Sequence, residues 1–155
     1  MKKEKMNDKG FSLIELIIVI AIMAVLVVVL APQYLKYVER SRNSTDISNA
    51  TAMVTACQVW AADPNAGEGS TNAFVAGNKF TIDVTTLGEV NPGTGGTDGS
   101  AAAGNALSQA AITIGDVKCK SKNTWTEYHI EGEVKDDGSI EFTYKPTEFA
   151  DAMKK

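Results

Sequence analysis

The chain has little histidine, little cysteine and fewer basic than acidic residues. His129 is the only histidine in 155 residues. A His-based metal cluster and a His-dependent catalytic triad therefore have no second member to draw on. No Gly-Lys-Ser/Thr sequence occurs, which excludes a phosphate-cradling nucleotide loop. Lysine and arginine number 15 against 19 acids, for a formal charge of −4. No basic patch is visible, so nucleic-acid binding is not expected as a main task. No cofactor or metal is expected, and an enzyme is the poorest fit because no catalytic cluster can be picked out. Beyond Ala31 the chain also lacks long apolar runs and is rich in Gly, Thr and Ala.

What the chain does have is one unbroken apolar run at residues 11–31, preceded by a short charged stretch that ends at Gly10. As a helix the run is about 31 Å long, enough to cross a bilayer core. It is too long for the apolar core of a secretory signal peptide, and no A-x-A-like cleavage site follows it. A buried core helix is a poor reading, because the run is apolar on every side. A plain membrane anchor gives no reason for Glu15, the one carboxylate inside the run. An acid there is costly unless paired, so it reads as functional.

Lys9-Gly10-Phe11-Ser12-Leu13-Ile14-Glu15-Leu16, after a ten-residue leader, resembles the processing site of a type IV prepilin. The resemblance continues through Pro32 and covers roughly the first third of the chain. It implies that a membrane prepilin peptidase cuts between Gly10 and Phe11 and that Phe11 becomes the N-methylated first residue. Physical chemistry agrees with these positions. Lys2, Lys3, Lys5 and Lys9 outnumber Glu4 and Asp8 in the leader, which keeps it cytoplasmic while the helix threads outward. Gly10 allows close approach of a protease because it has no side chain. A freed amine on Phe11 would lie one helical turn from Glu15, on the same face. Glu15 can then pair with its own or a neighbouring copy's amine, and a buried pair of that kind can set the register between subunits.

The expected fold is α+β and pilin-like: a long N-terminal helix, apolar in its first half and amphipathic in its second, lying on a C-terminal antiparallel β-sheet. The expected divisions are a leader at 1–10, a transmembrane or filament-core helix at 11–31 and a globular domain at 32–155. Pro32 predicts a kink or loosened turn, since it cannot donate to the carbonyl of Val28. Tyr34 and Tyr37 suit a membrane interface, with Lys36, Arg40 and Arg42 just beyond. Glu39 and Asp46 are candidates to meet cations on neighbouring copies. Within the helix at 33–62, Ile47, Ala50, Met53, Val54, Cys57, Trp60 and Ala61 form a stripe that should face the sheet.

Residues 63–111 read as a variable region, with a strand at 79–84, a turn of helix involving Leu87 and Val90, a Gly-rich exposed loop at 91–104 and a short helix at 105–111. The sheet is expected at 112–146, with a first strand at 112–120. A hairpin is predicted at Asp136-Asp137-Gly138-Ser139. Residues 147–155 form a tail. His129 reads as a surface residue. Trp125 breaks the strand parity and suggests a bulge or a second contact face.

Cys57 and Cys119 are candidates for a disulfide pinning the long helix to the first C-terminal strand. Two buried thiols are the equal alternative, since Cys packs well as a small apolar group. The function this sequence implies is the structural subunit of a type IV pilus, used for adhesion, motility or biofilm formation. Its expected partners are further copies of itself, the prepilin peptidase, an assembly platform protein with its ATPase, and the cytoplasmic membrane before assembly. The assembled filament would lie at the cell surface. A pseudopilin of a type II secretion system or competence filament is one alternative. A membrane-anchored binding domain that never polymerises is another.

Overall fold

The computed structural model describes residues 10–63, 66, 73–85, 89–92 and 97–155. The order of elements is α1 (Leu13–Ala62), β1 (Asn78–Val84), β2 (Glu89–Pro92), β3 (Thr97–Asp98), α2 (Ser100–Gln109), a 3-10 turn (Ile114–Asp116), β4 (Tyr128–Val134), β5 (Ile140–Lys145) and α3 (Thr147–Met153). The architecture is α+β, as expected. Met1–Val38 and Glu39–Lys155 form two separate compact units, so the second begins beyond Pro32, inside α1.

The first unit is the N-terminal stretch of α1. Pro32 lies inside the helix, and helical structure continues on both sides of it. Every side chain from Phe11 to Tyr37 is exposed. Among the described residues, one helix is long and apolar enough to cross a membrane, and this is it.

In the second unit, four strands pair in the order β2-β1-β4-β5, all antiparallel, while β3 runs parallel to the start of β1. β2 and β3 share one edge of β1, β2 along residues 80–83 and β3 beside Asn78 and Lys79. β1 and β4 alternate strictly between buried and half-buried residues, which is how a strand with one face on a core reads. Phe80, Ile82 and Val84 of β1 and Tyr128 and Ile130 of β4 meet Ala50, Met53, Ala56 and Cys57 of α1 in one core. The predicted stripe on α1 is therefore the face that packs.

Gly132 sits opposite Phe80 on the core side. The Phe80 ring occupies its missing side chain's place so closely that a Cβ there would come within 2.3 Å of it. α3 closes the core through Phe149, fully buried, which stacks on Tyr128 at 4.3 Å and meets the Trp125 ring edge-on at 5.2 Å. The β4–β5 hairpin is where the sequence puts it. Gly138 takes φ +82, and the Ser139 amide and hydroxyl both donate to the Asp137 carboxylate, at 2.9 and 2.6 Å.

Three expectations are corrected, and the choice left open for the cysteines is decided. Residues 112–120 are not a strand: they carry the 3-10 turn and then an extended connection with no ladder. Ile112, Ile114, Val117 and Cys119 pack against the core, but the segment makes only one backbone bond toward the end of β1, from the Cys119 amide to the Thr85 carbonyl at 3.4 Å. Val90 belongs to strand β2 rather than to a helical turn; Leu87 lies outside the described residues. The stretch 91–104 is not one loop, since it holds the end of β2, all of β3 and the first turn of α2, with only 93–96 outside the description. Cys57 and Cys119 are both free thiols. Cys57 packs in the core, while the Cys119 thiol donates to Asp46 at 3.4 Å, so of the two equal readings the structure has free thiols and no bridge. Burial pushes both thiols up to about 12.

Candidate functional site

Two parts of α1 carry the groups that matter. The first is its N-terminal end. Ser12 precedes the helix, and its backbone N–H donates to the Glu15 carboxylate at 2.8 Å. The Ser12 carbonyl accepts from the Leu16 amide. A glutamate three residues after the capping position, reaching back to the capping residue's amide, is one half of a capping box. Before any cleavage Glu15 thus satisfies the end of its own helix, a role the sequence motif S-x-x-E announces and the reading from charge alone overlooked. Gly10 and Phe11 lie exposed just ahead of it, with open space around the Gly10 α-carbon. Phe11 is 93% exposed. The geometry brings Gly10, Phe11 and Glu15 together at one accessible helix end.

The second part lies where the Glu39–Lys155 unit begins. Glu39 and Asp46, seven residues apart on one helix face, are both buried. They do not face outward to meet cations on other copies; each holds the connection between the 3-10 turn and β4. Glu39 Oε1 accepts from the Ser121 hydroxyl at 2.7 Å and from the backbone amides of Lys122, Asn123 and Thr124 at 2.8, 2.8 and 3.3 Å. Asp46 accepts from the amides of Lys120 and Ser121 at 2.8 and 2.9 Å and from the Trp125 indole at 3.0 Å. The amide of Asn123 most of all, with the Ser121 hydroxyl and the amides of Lys122 and Thr124, holds the Glu39 carboxyl at about 2 against the opposing effect of burial. Trp125 is therefore no bulge but a second contact: it is buried before β4 starts, with its one polar atom on Asp46 and its ring against Phe149. His129 is half-buried on the outer sheet face, its Nδ1 2.5 Å from Asp83.

A helix that opens on a processing-like junction, with an acid at its first turn, and an α+β unit packed on its later turns define a pilin-like chain. The comparisons agree. Residues 5–31 match the family described as the prokaryotic N-terminal methylation motif. The chain is 37% identical over 114 residues to a type IV major fimbrial protein FimA of Dichelobacter nodosus, covering 71% of this chain and 63% of that one. It is 41% identical over 51 residues to a fimbrial protein of Pseudomonas aeruginosa, a third of each chain. The chain thus spans less than two thirds of the length of these curated relatives. No solved structure matches it. These similarities support the type IV pilin resemblance.

Proposed function

We propose that this chain is the structural subunit of a type IV pilus, anchored in the membrane by residues 11–31 and built into a surface filament through the same residues. The single observation that carries this reading is an exposed helical stretch that is apolar but for one acid at its first turn, in a segment that matches the methylation motif. The motif supports cleavage after Gly10 by a prepilin peptidase and methylation of Phe11. Cleavage breaks the Gly10–Phe11 bond and turns the Phe11 amide nitrogen into a cationic amine one turn from Glu15, while the Ser12 N–H that donates to Glu15 stays in place. Lipid and a filament core are both apolar, so the hydrophobic term changes little when the helix moves from one to the other. Packing and the Glu15–amine pair then supply specificity. The assembly platform and ATPase would supply the work.

Shearing cells, imaging the released material and sequencing its N-terminus tests this reading. Long fibres whose subunit starts at methylated Phe11 are expected. A product that starts at Met1, or that is never polymeric, overturns it. Short stubs appearing only with secretion machinery would favour the pseudopilin.

A further inference from the structure

We propose that residues 39–46 of α1 form a releasable clasp. This segment is docked by the carboxylates of Glu39 and Asp46, and it can leave the domain together with the connection 120–124 while Trp125, held against Phe149, and residues 50–62 stay packed. The inference concerns the Glu39–Lys155 unit alone and stands whether or not the chain forms filaments.

Residues 39–46 read Glu-Arg-Ser-Arg-Asn-Ser-Thr-Asp, with no apolar side chain among them. Their buried members are the two acids; burial on α1 then resumes at Ala50, Met53, Ala56 and Cys57. The helix is thus attached in two ways in succession, first by carboxylates on backbone amides and then by apolar packing.

The two attachments respond differently to separation. A carboxylate and an amide that part each regain water, so a hydrogen-bonded contact nets only a small fraction of its gross strength. Apolar surface regains nothing. The clasp also has weak internal support. Ser, Asn, Thr and Asp are poor helix formers, and Ser44 and Thr45 turn their hydroxyls onto the carbonyls of Arg40 and Ser41, at 3.0 Å each. Two buried acceptors at the site, Glu39 Oε2 and Asn43 Oδ1, have no hydrogen-bond partner among the described residues. Arg42 stands 3.6 Å from that Glu39 oxygen, too far for a strong bond. Segments with little apolar burial and solvent-replaceable bonds are those that open below the global unfolding free energy. Opening would lengthen the unpacked part of α1 by eight residues. Drawn from helical to extended rise, they add about 15 Å of reach.

Hydrogen exchange on the full chain in detergent micelles tests the clasp. Amides 43–50, whose helical acceptors are residues 39–46, are expected to exchange at least tenfold faster than amides 53–62. In E39Q/D46N they should accelerate a further tenfold or more. The amides of Lys120, Ser121, Lys122 and Asn123 should follow in step, with β1, β4 and β5 unchanged. Equal protection across 43–62 in the wild-type chain would overturn the proposal. So would a double variant that leaves 43–50 as protected as before. Loss of sheet protection together with 43–50 would also overturn it, because the acids would then belong to a single cooperative core.

Discussion

Glu15 and Glu39 are acids on the same helix with opposite fates. Glu15 sits exposed at the first turn, bonded to the Ser12 amide. Glu15→Val should still give inserted, processed protein, but filaments should be lost or disordered; membrane fractionation and electron microscopy read the two effects separately. Normal filaments from that variant would remove the assembly role. Glu39 is buried and holds its proton only near pH 2, below the ordinary value of 4.5. A lowered folded value means its stabilisation is present above about 4.5 and lost as pH falls toward 2. Melting midpoints of the wild type should therefore drop across that window, with Arg42, Asp46 and Cys119 the other polar groups facing the site. The E39Q profile should be lower at neutral pH and flatter between pH 4.5 and 2.

Gly132 makes a third case at this scale. A methyl there must displace the Phe80 ring, so Gly132→Ala should cost about 1–3 kcal/mol by denaturant melts. F80L in the same chain should recover part of the loss. Wild-type stability in the single variant would show that the ring swings aside freely.

Among the elements, α3 depends most on a single side chain. It has only seven residues, too few to be helical alone. Phe149 buries between Tyr128, Trp125 and Tyr144. Phe149→Ala should cost about 3–5 kcal/mol and leave α3 undocked, visible as lost amide protection at 150–153. The hairpin shows the reverse balance, since its turn is specified locally by Asp137 and by Gly138 at positive φ. That is why Asp136-Asp137-Gly138-Ser139 was readable. The stripe from Ile47 to Trp60 was readable for a similar reason, because helical period and apolar burial coincide on it. Residues 112–120 do not form the expected strand because apolar residues that pack on a core, as Ile112, Ile114, Val117 and Cys119 do, need not join a ladder.

For the whole molecule, the division at Val38/Glu39 has a direct consequence. A chain beginning at Lys36 lacks the exposed apolar run, and should stay in solution without detergent with the sheet's circular dichroism intact. The chain from Phe11 should need detergent or a partner. Precipitation of the shorter chain would show that the second unit needs the apolar stretch to fold.

By itself the sequence determined the apolar span, the packing stripe and the hairpin. Each is a local property, a matter of spacing, hydropathy or backbone freedom over a few residues. Only the tertiary structure decided that Glu39 and Asp46 turn inward, that Cys119 donates to Asp46 instead of bonding Cys57, and that Gly132 makes room for Phe80. Those outcomes depend on residues about 50 to 85 positions apart in the chain meeting in space. No period or motif encodes which amides will arrive to satisfy a buried carboxylate.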